Sequence, residues 1–160
     1  MNAYEQIRLH IPDDVERLME NRLILKEDLQ KAIHLAETTG KKLISPSMGR
    51  SLTSYRPKTV TYWVEYSRIG EEYQVHSAYS HRMGMRTGGG MTDRAKSVSD
   101  SGWICNQCQV PLDVQTVRLQ YMQSIFPLDL PVCSQCSFIL ISEELATGKI
   151  ADAEKALEDK

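Results

Sequence analysis

The chain has 160 residues, 41% of them hydrophobic and 25% charged, with a formal net charge of −2. Such a composition excludes a wholly disordered chain and gives room for one medium domain or two small ones; it supplies no global attraction to phosphate backbones or anionic membranes. No stretch approaches the ~20 apolar residues that span a bilayer, and the opening MNAYEQIRLHIPDD lacks the pattern of a secretory signal, so a cytoplasmic location without membrane association is expected.

Ile11-Pro12-Asp13-Asp14, followed by Val15, Leu18 and Met19, predicts a short helix with proline and acids in its first turn. Leu29, Ala32, Ile33 and Ala36 recur at helical spacing over 26–38, and Gly40 is placed to end this second helix in a left-handed cap. Leu43-Ile44, the turn residues Pro46, Ser47 and Gly49, and the segment 52–55 suggest a short hairpin. The clearest strand is 59–66 (TVTYWVEY), with Val60, Tyr62, Val64 and Tyr66 on one face and Thr59, Thr61, Trp63 and Glu65 on the other. The turn Ile69-Gly70-Glu71 should join it to a partner at 73–79. The expected fold is α+β, with N-terminal helices packed on a small antiparallel sheet in a module at 1–83 that serves protein contact.

At 84–101 the text becomes GMRTGGGMTDRAKSVSDS, without apolar periodicity, which reads as a flexible linker. Residues 102–160 then form a second expected domain. Within it 114–121 alternates as a strand, 125–130 can pair with it across 122–124, and 138–141 is apolar. Ser142 before Glu143 and Glu144 starts a helix, 149–158 continues it, and Gly148 is placed to divide it in two.

All four cysteines lie in this second part, as Cys105-Asn-Gln-Cys108 and, after 24 intervening residues, Cys133-Ser-Gln-Cys136. Each CxxC pair sets two thiols on a tight turn, and a hairpin between the pairs brings both turns to one end of a ribbon, so the expectation is a zinc-ribbon-like domain with Cys105, Cys108, Cys133 and Cys136 as metal ligands. A closed Zn(Cys)4 site is the first reading. A rubredoxin-like iron at the same four sulfurs and a CxxC thiol/disulfide exchange centre are the alternatives, and either would make the chain a redox carrier. Neither pair is followed by the glycine that often completes such a turn, since Gln109 and Ser137 stand there. Because 102–160 is shorter than the ~70 to 80 residues at which one apolar core usually suffices, metal removal is expected to unfold this half and spare the other. With a formal charge of −4 over 102–160, the ribbon is a poor match for nucleic acid, and a protein partner fits better.

His76 and His81 fall on or just after the second long strand and read as a sheet edge meeting solvent, and His10 and His34 carry less signal still. The strand 59–66 has an aromatic on each face, which leaves one face over as a docking candidate if it is exposed. No Ser-His-Asp order, HExxH, P-loop or GxGxxG is present, so no complete active site and no catalytic residue are assigned.

At TVTYWVEY, AYSHRM, the two CxxC pairs and the closing GKIADAEKALEDK, the chain resembles a family of small proteins of anaerobic bacteria described as redox proteins. The resemblance runs over both halves and implies an association with molybdenum-type aldehyde oxidoreductases and with flavin or pyridine-nucleotide oxidoreductases. Carried over residue by residue, the family's cysteines fall on Cys105, Cys108, Cys133 and Cys136. The combined expectation is a metal-binding accessory protein of an oxidoreductase system.

Overall fold

The structure is a computed structural model, and it describes residues 3–85, 97–98, 102–121, 124–136 and 138–158. A 3-10 turn (Ala3–Gln6) and strand β1 (Arg8–His10) precede helix α1 (Asp13–Arg22), which has Pro12 before it and Asp13, Asp14 and Glu16 in its first turn. Anionic side chains there complement the unpaired N–H groups of the helix start. Val15 and Met19, four residues apart, are its buried side chains, whereas Leu18 stays 43% exposed. Helix α2 (Lys26–Thr39) buries Leu29, Ala32, Ile33 and Ala36. Its entry is capped by Asp28, whose carboxylate accepts from the Leu25 N–H at 3.0 Å, and its exit by Gly40, whose N–H reaches the Ala36 carbonyl at a φ of 77°.

Strands β2 (Leu43–Ser45), β3 (Arg50–Tyr55), β4 (Thr61–Ile69) and β5 (Glu72–His81) form an antiparallel meander, with β1 added parallel to β5. On β4 the alternation is regular. Tyr62, Val64 and Tyr66 face the α1 and α2 core, and Trp63 faces the opposite way. On β5 the register shifts by one residue at His76, so Tyr73, Val75 and Ala78 face the helices while Tyr79 shares the other face with Trp63. A bulge inserts one unpaired residue and flips the phase of everything after it.

The Trp63 face decides the architecture. It carries Leu43, Leu52, Trp63 and Tyr79, and it is covered by Leu112, Leu119, Val132, Phe138 and Ile150 from the second half of the chain, in one continuous core. That half contributes β8 (Ile104–Cys105) and β9 (Val110–Pro111) to the first sheet, in the order β1-β5-β4-β3-β2-β8-β9, after the short strands β6 (Gly84–Met85) and β7 (Ser97–Val98). It also builds a second sheet from β10 (Asp113–Tyr121) and β11 (Ser124–Val132), paired from Asp113↔Val132 to Tyr121↔Ser124. Both β6 and β7 pair with β10 on its other side. One core thus takes side chains from both sides of the expected linker at 84–101, whose described parts, 84–85 and 97–98, are strands paired with β10, while 86–96 and 99–101 lie outside the described residues. The physical reason is the two-sided apolarity of β4, because an aromatic face left open to water would forfeit the burial that holds a small sheet together.

Ser142 caps the last helical stretch, its Oγ accepting from the Leu145 N–H at 3.2 Å. This stretch runs through α3 (Glu143–Leu145), a π-turn at Ala146–Ile150 and α4 (Ala151–Glu158). Gly148 thus sits in a widened turn and does not break the helix. Glu154 on α4 is 9% exposed, and its Oε2 accepts from the backbone N–H groups of Arg82 and Met83, each at 2.7 Å. Tyr79 Oη donates to the Ile141 carbonyl at 2.7 Å across the same seam.

His81 closes β5 as a buried residue, contrary to its expected place at a solvent-facing edge. The indole Nε1–H of Trp63 donates to His81 Nε2 at 2.9 Å, and Nδ1 lies 2.8 Å from the Met83 carbonyl. Indole only donates and a carbonyl only accepts, so the imidazole is held neutral with its proton on Nδ1. Burial lowers the His81 pKa from 6.5 to about 4, with Arg56 acting in the same direction and the Met83 carbonyl opposing.

Two outcomes follow from the seam. Glu154→Ala leaves two backbone donors without their carboxylate and should cost about 2 to 3 kcal/mol in urea denaturation, with Glu154→Gln recovering part of that loss. For His81, the unfolded chain takes up a proton near pH 6.5 that the folded chain refuses until about pH 4. Its contribution is complete above pH 6.5 and falls by about 3 kcal/mol as the pH drops toward 4. A proton NMR titration should show the His81 ring still neutral at pH 5; a midpoint above 6 would refute this.

Candidate metal centre

The first cysteine pair is built on a turn between β8 and β9. Gln109 N–H donates to the Cys105 carbonyl at 2.8 Å and closes the turn. Gln109 takes a φ of 59°, the left-handed region that the usual glycine would fill without strain; here an L side chain costs roughly 1 kcal/mol. The turn is tied to the N-terminal half. Asn106 N–H donates to the Lys42 carbonyl at 2.9 Å, its Nδ2 donates to the Gly40 carbonyl at 3.0 Å, and Cys105 pairs with Leu43. The helix cap at Gly40 and the first metal turn thus share one anchoring point.

The second pair follows the end of β11. Cys133 N–H donates to the Phe138 carbonyl at 2.8 Å and Leu140 N–H to the Pro131 carbonyl at 2.9 Å, so the chain folds back on itself around residues 133–138. Val132 and Ile139 make a bridge at the same place. Ser137, the second non-glycine position noted in the sequence, lies outside the described residues.

The four sulfurs meet. Their Sγ atoms all lie within 4.8 Å of one another, and Cys105 and Cys136 are 3.6 Å apart. A tetrahedron with Zn–S bonds of ~2.3 Å has edges of about 3.8 Å, so the cluster is close to the size a metal requires. All four cysteines are free thiols, and 3.6 Å is far beyond the ~2.05 Å of a disulfide. Cys105 and Cys133 are buried, while Cys108 and Cys136 are half-buried.

Without a cation the arrangement resists full ionisation. Burial, reinforced by the neighbouring thiols of Cys133, Cys136 and Cys105, pushes the Cys108 thiol up to about 12. Burial likewise raises Cys136. At Cys133 burial works upward too, but it is outweighed by the backbone N–H groups of Cys136 and Gln135, which face the sulfur and hold its pKa below the usual thiol value. Four thiolates at such distances repel one another, and a divalent cation at their centre removes the repulsion. Four cysteine sulfurs at these distances are compatible with one metal ion held by all four.

Among the described residues the cluster comprises only the four cysteines. His76 sits at the β5 bulge with Nε2 2.7 Å from Ser67 Oγ, His81 is engaged by Trp63, His34 lies half-buried in α2, and His10 ends β1. Trp63, the aromatic on the face opposite Tyr62 and Tyr66 and so a candidate for an open docking face, is 3% exposed and covered by this chain's own second half. Sequence reasoning missed the anchor of Asn106 on Gly40 and Lys42, because pairing between β2 and β8 joins segments about sixty residues apart and leaves no local signal.

No described helix is long and apolar enough to cross a membrane. A family model described as a domain of unknown function (DUF7479) matches residues 101–160, the part that holds all four cysteines. No curated protein and no solved structure matches the chain.

Proposed function

We propose that Cys105, Cys108, Cys133 and Cys136 hold one structural zinc ion in a zinc-ribbon-like arrangement, and that the protein is an accessory component of a cytoplasmic oxidoreductase system, working through contact with a protein partner. The observation that carries the metal reading is the convergence of four free thiols within 4.8 Å, donated by two turns from distant parts of the chain. Zinc suits this set because it has no geometric preference beyond the tetrahedron and no redox chemistry of its own. The oxidoreductase association is supported by the family resemblance at TVTYWVEY, AYSHRM and the two CxxC pairs.

One observation favours the redox alternative. Cys108 and Cys136 are only half-buried, so an iron or a thiol pair at this site would lie within electron- or thiol-transfer reach of a docked partner. Elemental analysis of anaerobically purified protein separates the readings. One zinc per chain, four thiols masked until chelation and no visible absorption are expected. Iron with visible thiolate absorption would replace the structural site with a carrier, and a metal-free protein with reversible disulfide formation would replace it with thiol exchange. Crosslinking in the native cell should recover an oxidoreductase subunit.

The shared core also changes what metal removal does. Zinc sites of this class contribute ~10 to 16 kcal/mol of apparent binding energy, more than a small domain's total stability. Since Cys105 pairs with Leu43 and both belong to the core that covers Trp63, chelation should loosen the two halves together. Trp63 fluorescence and far-ultraviolet circular dichroism are expected to change in one transition; retention of the native Trp63 environment after complete metal removal would show that the halves are independent.

A further inference from the structure

A second site lies away from the cysteines, at the seam between the first sheet and the second half of the chain. It is a pocket of about 220 Å³ with apolar walls from Trp63, Leu119, Phe138 and Ile141, and with Lys41 and Arg56 as its charged lining. None of its lining residues is acidic. Both cations are exposed to solvent and stand at the mouth of the pocket, beside its apolar wall.

Among the described residues, Arg56 is held by neutral groups. Its Nη1 donates to Thr61 Oγ1 at 2.6 Å and to the Met83 carbonyl at 3.4 Å, and its Nη2 donates to the Arg82 carbonyl at 3.0 Å. Gly84 makes this approach possible, because a Cβ there would stand 3.0 Å from Nη2. A guanidinium has five N–H groups, so two remain for an acceptor that the described residues do not provide. No carboxylate among the described residues pairs with Arg56 or Lys41. Glu154 acts on Arg56 only from a distance, and its carboxylate is already bound by the Arg82 and Met83 amides. Partial burial works against the charge on Arg56, and a bound anion would relieve that cost.

We infer that this pocket binds a small carboxylate with an apolar body, its head on the free N–H groups of Arg56 and near Lys41, and its body against Trp63, Leu119 and Phe138. Arginine presents parallel donors that match the two oxygens of a carboxylate. The volume of about 220 Å³ lies below the usual range of roughly 300 to 1,000 Å³ for drug-sized ligands and suits a small molecule of roughly ten non-hydrogen atoms. An inorganic anion alone would leave the apolar wall unused. The site needs none of the four cysteines, so its failure and that of the zinc reading are separate results.

Benzoate is a suitable probe. In the isotope-labelled full chain the Trp63 indole N–H and Arg56 Nε–H signals should shift saturably with benzoate, and benzamide, of the same shape without charge, should bind at least about tenfold more weakly. Arg56→Gln should abolish the shift. Lys41 is exposed and makes no ion pair among the described residues, so Lys41→Gln should leave the fold intact and weaken benzoate about threefold or more. Equal titration by benzamide, no saturation up to about 20 mM, or a Lys41→Gln protein that binds like the wild type would each overturn the assignment, and inorganic phosphate binding as well as benzoate would remove the apolar half of the claim.

Discussion

The structure depends on the face of the first sheet that carries Leu43, Leu52, Trp63 and Tyr79. Helices α1 and α2 cover one side of that sheet and cannot reach the other, so the second half of the chain must supply the missing layer. A sheet with two apolar faces is stable only when both are covered. From this one requirement follow the addition of β8 and β9 beside β2, the position of the first cysteine turn next to Leu43, and the neutral, indole-bound state of His81 at the end of β5.

The consequence for the four-cysteine cluster is that it belongs to a shared interior. In an isolated ribbon the ion would hold only its own two turns. Here Cys105 and Cys133 belong to the same core as Trp63 and Tyr79, while Asn106 fastens the first turn to the cap of α2. The cluster is therefore a junction of the first sheet, the second sheet and the end of a helix. Such placement suits an ion whose task is to fix the relation between elements, because displacement of any one sulfur would strain groups in all three.

Much of this was legible in the sequence where the signal is local. The helix ends at Gly40 and Ser142, the alternation within 61–66 and the turn at Gly70 are encoded within a few residues, although the strand runs over Thr61–Ile69 instead of 59–66 and Pro12 stands just before its helix instead of in the first turn. The convergence of the four cysteines was legible too, because paired thiols at CxxC spacing have few uses. What could not be read was tertiary. Nothing within 84–101 announces that 84–85 and 97–98 pair with β10, and His81 looks polar and terminal until Trp63, 18 residues away, is seen to donate to it. The bulge at His76 was equally silent, although it decides which way Tyr79 points.

The outer strand of the second sheet shows how the fold keeps to itself. Leu140 reaches the outward carbonyl of Pro131, so the outward-facing positions of β11 are Ile125, Pro127, Asp129 and Pro131. Two of those four residues have no amide hydrogen, and a third brings a negative charge. An incoming strand would find a broken row of donors there, so this rim is a poor template for self-association even though Ile125 is 42% exposed upon it.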